Sequence, residues 1–205
     1  MVKRVKNSFD SLCTIDIVLI KSIMATRIER FIHIKYTYLS ILKGVIHLMN
    51  LPNGVTGFYS SIDNKPNEIN ENDFKGICFN LVRKNQGKIL KIDEANLAGN
   101  FLKVKVDIFN REINVLLNAY YPVLALASTV EFQHINFIDD PVLSKNFMPF
   151  YKVLSKEELS EPLDIRKSKG KVSLENKNNL NSRELEQIFY WKPKTVGEVI
   201  FNFWD

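Results

Sequence analysis

The side chains suited to acid–base or metal chemistry gather in one stretch of this 205-residue chain, from Glu131 to Asp140. His134 is the single histidine after residue 48. Nucleophilic catalysis needs a base held beside a nucleophile. His134 stands at an alternating position of VEFQHINFID, where a packed or surface imidazole is the ordinary outcome. Asp139 and Asp140 could converge with it, or with Glu131, on a metal ion. That constellation defines one functional reading, a small metal-dependent hydrolase. Against it, two carboxylates ahead of Pro141 are ordinary turn formers. There is no Walker loop and no GxGxxG, and Gly54-Val55-Thr56-Gly57 is too short for a phosphate loop. Cys13 and Cys78 are too few for a disulfide framework or a cysteine zinc site. The sequence therefore assigns no catalytic residue, no metal ligand set and no cofactor.

The residues suited to binding a partner are distributed differently. Asp63, Glu68, Glu71 and Asp73 follow one another with only Lys65 opposing them. Trp191 and Trp204, the two tryptophans, bracket the last fifteen residues, WKPKTVGEVIFNFWD, and could form an aromatic contact site. The net charge is +5, but residues 1–48 carry all of it. They hold eight Lys/Arg against three acids, leaving 28 − 8 = 20 basic and 23 − 3 = 20 acidic residues in the body. A neutral body without RNA-binding aromatic motifs argues against nucleic acid. No stretch reaches the length of a membrane span without a charge, and the expected location is the cytoplasm.

Several elements can be read from periodicity and capping. Phe74, Ile77, Cys78, Leu81 and Val82 repeat at helical spacing after Asn72 or Asp73, with Gly87 as the stop. KILKID begins as a strand. FLKVKVDIF alternates, Asn110-Arg111-Glu112 turns, and Ile113, Val115 and Leu117 alternate back, giving a hairpin with one wet face. YPVLALAS is continuously apolar and reads as a buried central strand. LPNGVTGFYS reads as a turn leading into a strand. Ser155 with Glu158, and Asn181 with Glu184, form capping boxes, and Leu185, Ile188 and Phe189 give the second helix its buried face. Residues 161–179 read as a long polar loop. Pro193 then makes a corner, Thr195 and Glu198 open a last helix, and Val196, Val199, Ile200, Phe203 and Trp204 form its stripe. The predicted class is α+β: a mainly antiparallel sheet, helices on one face, and a C-terminal helix pair.

The predicted organisation is a basic, apolar extension over 1–48 and a single domain over 49–205. Three readings of the extension stand: a helical extension, a membrane-surface anchor, or upstream sequence translated with the protein. The last is motivated by Lys43-Gly44-Val45-Ile46, whose codons can spell a bacterial ribosome-binding sequence shortly before Met49. The abundance of Lys, Asn and Ile suits an AT-rich bacterial genome.

The motifs LPNGVTGFY, NFID at 136–139 and YWKPKTVGEVIFNFWD together resemble those of small stand-alone bacterial proteins of the toxin-immunity kind, over 49–205. These motifs are structural and bring no catalytic residue with them. The resemblance implies a non-enzymatic protein that binds and blocks a cognate toxin. On that reading the partner-binding candidates are Asp63, Glu68, Glu71, Asp73 and Trp191.

Overall fold

The computed structural model describes residues 50–59, 67–93, 99–168 and 171–204. All lie within a compact unit spanning Leu48–Asp205. The readings made for 1–48, and Asp63, fall outside the described residues.

Helix α1 covers Glu71–Lys84. Its N-cap is Asn70, two residues earlier than the sequence suggests, because the Asn70 side chain accepts the Asn72 amide at 2.9 Å. Glu71 and Asp73 thus sit in the first helical turn, where the helix dipole favours acids. Strands β1 (Lys88–Asp93), β2 (Phe101–Ile108), β3 (Arg111–Asn118), β4 (Val123–Glu131) and β5 (His134–Ile138) form an antiparallel meander in sequential order. Two further strand pairings occur among the described residues. Strand β6 (Lys152–Val153) runs parallel to the start of β4, and β7 (Ile165–Ser168) pairs with β8 (Lys171–Leu174) as a separate hairpin. The other helices among the described residues are α2 (Pro141–Phe147), α3 (Lys156–Leu159), α4 (Ser182–Trp191) and α5 (Val196–Ile200).

The fold is α+β, with the mainly antiparallel sheet expected from the alternation in β2 and β3. Helices cover both faces of that sheet rather than one. Leu102, Val104 and Val106 of β2 join Phe74 and Cys78 of α1 and Leu143 and Phe147 of α2 in one core. Burial there pushes the Cys78 thiol up to about 12. Leu116 of β3 and Val123, Ala125 and Ala127 of β4 point the other way. They pack with Leu159, Ile188, Val199 and Phe201 in a second core. The expected wet face of the β2–β3 hairpin is confined to β2. From Ile113 to Asn118 every residue of β3 is buried, because α3, α4 and α5 close over its other side.

Several local expectations are revised. Residues 51–59 form turns, not a strand: Val55 donates to the Pro52 carbonyl and Gly57 to that of Gly54. VEFQHINFID is two strands joined at Phe132–Gln133, where Gln133 takes φ 61°. Asp139-Asp140-Pro141 opens a helix that sequence reading missed, with Asp140 as N-cap and the proline in the first turn. The polar segment after Glu161 contains the β7–β8 hairpin, anchored through buried Leu174 and Asn176. In α4 the inward face is rotated: Glu184 and Ile188 are buried, Leu185 is half-buried and Phe189 is exposed. The last helix stops at Ile200, so buried Phe201 replaces Phe203 and Trp204 as its aromatic anchor.

Candidate functional site

The C-terminal stretch is tied down by polar groups before its aromatic side chains are presented. Glu184 is fully buried, and no lysine or arginine pairs with it among the described ion pairs. Its carboxylate accepts hydrogen bonds from the amides of Gly54, Thr56 and Asn181, from the Thr56 hydroxyl, and from the Asn181 amide group, at 2.9–3.1 Å. A buried anion is tolerable when several donors satisfy it. Next to it, Asn118 donates to the carbonyls of Val55 (3.0 Å) and Ile200 (2.7 Å). Asn202 donates to Thr56 O and accepts Trp204 N, while Asn100 donates to Val55 O and accepts Asn202 N. These side chains connect the 53–58 turns, the ends of β2 and β3, and the tail after α5. The tail leaves α5 where the Asn100 amide donates to the Asn202 carbonyl and the Asn202 amide donates to the Asn100 side-chain oxygen.

The α4–α5 corner is sharp. Lys192 adopts a left-handed conformation (φ 50°), and its amide donates to the Ile188 carbonyl at 2.9 Å. Glycine is the usual residue in this position. Pro193 follows and is buried. Thr195 caps α5, and the Glu198 carboxylate accepts the Lys194 amide at 2.7 Å. Gly197 is required by proximity: a Cβ there would stand 2.7 Å from Phe137 Cε2 and 2.9 Å from the Leu159 carbonyl.

These features border a groove of about 450 Å³ between the start of β5, α3, the 191–195 corner and the tail. Trp191, Phe203 and Trp204 line it together with His134, Lys156 and Lys194. An aromatic series supports its wall. Phe132, at the tip of the β4–β5 hairpin, lies 5.8 Å from Phe203 between ring centres, Phe203 lies 5.2 Å from Phe101, and Phe101 lies 6.0 Å from Phe201. On the rim, Tyr190 stacks edge-on against Trp191 at 5.3 Å and remains 74% exposed. Phe132 is 67% exposed. Large aromatics left in water around a concave surface are the usual anatomy of a protein contact.

The residues of the hydrolase reading are placed apart in function. His134 is exposed and opposes Glu131 across the β4–β5 hairpin. Asp140 caps α2 through Val142 N and Leu143 N at 3.1 and 3.0 Å, and its other oxygen pairs with Arg111 at 2.5 Å. Asp139 accepts the Lys156 amide at 2.8 Å. Both carboxylates therefore hold chain segments together. Among the described residues no group of three or more His, Cys, Asp and Glu is arranged to hold a metal ion. Also among them, no helix is long and apolar enough to cross a membrane.

Of the partner-binding candidates, Trp191 is in the groove. Glu71 and Asp73 are in the first turn of α1 and Glu68 precedes its N-cap; α1 packs on the opposite face of the sheet. Glu71 pairs with Lys75 one turn on, at 2.8 Å. The structure does not bring Glu68, Glu71 or Asp73 together with Trp191. Nothing in the spacing of Lys156 or Phe132 signals that they reach this surface, whereas Lys192 and Lys194 are sequence neighbours of Trp191 in Trp191-Lys192-Pro193-Lys194. Comparison with protein-family models, with curated proteins and with solved structures finds no match for this chain.

Proposed function

We propose that the protein is a non-enzymatic protein-binding module, an immunity protein that neutralises a cognate bacterial toxin. The observation that carries this reading is the groove. Trp191, Trp204 and Phe203 are concentrated on one concave surface, with Tyr190 and Phe132 exposed beside it. Tryptophan and tyrosine supply large contact area at little entropic cost, and a few such anchors carry most of the energy of a typical interface. Rigid support favours the same role. The groove wall is fixed by the Asn100–Asn118–Asn202 hydrogen bonds and by the Gly197 contact, so little ordering is required on binding. The resemblance over 49–205 supplies the kind of partner, a toxin encoded beside this chain. The acidic first turn of α1 is a second, separate contact region on this proposal, meeting a basic region of the partner away from the segment that enters the groove.

The test is co-expression with the product of the adjacent gene. The proposal expects relief of toxicity together with a defined complex between the purified proteins. Continued toxicity with no complex would contradict it.

A further inference from the structure

We infer that the groove receives an acidic segment of the partner protein, with an apolar side chain of that segment seated between Trp191 and Trp204. This deepens the protein-binding reading above and rests on it. The first observation is charge. Lys156, Lys192 and Lys194 line the groove, and among the described residues Glu198 is the one acidic member of its lining. None of these lysines forms an ion pair with a described residue. Glu198 already accepts the Lys194 amide, and nearby Asp139 the Lys156 amide, so both carboxylates are engaged by backbone. The lysines are exposed and placed to meet incoming carboxylates.

The second observation is backbone conformation. Lys192 and Gln133 both border the groove, and both hold positive φ, 50° and 61°, without being glycine. Positive φ also occurs at Gln86, Phe109 and Asn110 in turns away from the groove, so at Lys192 and Gln133 it belongs to a helix stop and a hairpin turn and fixes where those side chains are presented. At the α4–α5 corner glycine would relieve the strain. Lysine there keeps a cationic side chain on the rim instead.

Aromatic rings beside lysines also suit single-stranded nucleic acid. The charge distribution favours the polypeptide. Nucleic-acid binding draws on a long basic track, whereas residues 49–205 hold equal numbers of basic and acidic residues, 28 − 8 = 20 and 23 − 3 = 20. The groove is short, and its volume of about 450 Å³ fits a few side chains.

Trp191 and Trp204 are the only tryptophans in the chain, so intrinsic fluorescence reports groove occupancy directly. The full-length protein is titrated at low salt with a short peptide of Glu residues around a central Phe, with its Lys-for-Glu counterpart, and with an oligothymidylate. A saturable fluorescence change with the acidic peptide, weakened by salt, is expected. It should be absent with the Lys peptide and lost in the triple variant K156E/K192E/K194E. Equal response to both peptides, tighter binding of the oligonucleotide, or no response to the acidic peptide overturns the inference. The double variant Lys156→Gln with Lys194→Gln leaves the strained corner intact and should show a weaker response. The adjacent gene product separates the two claims. With the triple variant its association rate should fall about tenfold and depend less on salt. An unchanged rate sinks the inference and leaves the protein-binding reading standing. Absence of complex with the unaltered protein defeats that reading, while the peptide arms still decide what the groove prefers.

Discussion

Thr56 and Glu184, 128 residues apart in sequence, are joined twice: the Thr56 amide and hydroxyl both donate to Oε1 of Glu184, at 3.1 and 2.9 Å. The joint fastens the turns before α1 to the first turn of α4. Glu184→Gln replaces an acceptor with a group that is half donor, opposite five existing donors. A loss of about 3 kcal/mol is expected from hydrogen bonds to a buried charge. Thr56→Val removes one of them and should cost about 1–2 kcal/mol. Because the residues share the interaction, the double variant should lose less than the sum. Urea denaturation of the four proteins measures this, and strict additivity would show that the contact contributes nothing.

Asn118 works from both ends of its side chain. It donates to Val55 O and Ile200 O and accepts the amides of Tyr120 and Tyr121. Asn118→Ala should destabilise the fold by about 3 kcal/mol, since buried backbone groups lose their partners. Asn118→Asp should be no better at neutral pH, because a carboxylate cannot donate to either carbonyl. Native melting behaviour in either variant would refute this account of the C-terminal anchor.

Gly197 permits the contact of α5 with β5 and α3. Gly197→Ala places a methyl group within 2.7 Å of the Phe137 ring and 2.9 Å of a backbone oxygen. Helix propensity alone would favour alanine by about 1 kcal/mol. Overpacking should reverse that sign and cost about 1–3 kcal/mol. A rise in melting temperature would contradict the packing described.

Asp93 gives a pH dependence. Burial works to raise its pKa, but the hydrogen bonds and charges of Lys103 and Lys91, each at 2.6 Å, prevail and hold it below the ordinary carboxylate value. A carboxylate depressed in the folded state contributes stability above its unfolded pKa and loses it as pH falls. Asp93→Asn should therefore be less stable than the parent at neutral pH. The gap should narrow as pH drops through about 4 and below. A gap constant from pH 7 to pH 3 would remove Asp93 as its source.

What could be read from the sequence followed from how local the determining interactions are. The α1 stripe, the alternation of β2 and the Asn181–Glu184 capping box involve residues within a few positions of one another. Each forms as the pattern indicates. The burial of β3 on both faces depends on helices distant in sequence, α1 and α2 on one side and α3, α4 and α5 on the other, and alternation alone cannot report it. Glu184 was legible as a helix cap but not as the anchor of a distant turn. The α5 stripe was continued through Trp204, whereas Asn202 diverts the tail through contacts with Asn100 and Thr56. Trp191 could be picked out as a contact residue by its type. Lys192 and Lys194 lie beside it in the same run, but Lys156 could not be placed there, because α3 and the 191–195 corner meet only in the folded chain.

The central claim is that the aromatic groove is the protein-binding surface, and Trp191→Ala tests it most directly. Trp191 is half-buried at the rim, and its indole N–H donates to Gln187 of the same helix at 3.2 Å, so the fold should survive its loss. Isothermal titration against the adjacent gene product, with melting followed in parallel, is the measurement. The account predicts cooperative unfolding and an affinity weakened about thirtyfold or more, the mark of a hot-spot residue. Unchanged affinity in a folded Trp191→Ala protein would contradict it.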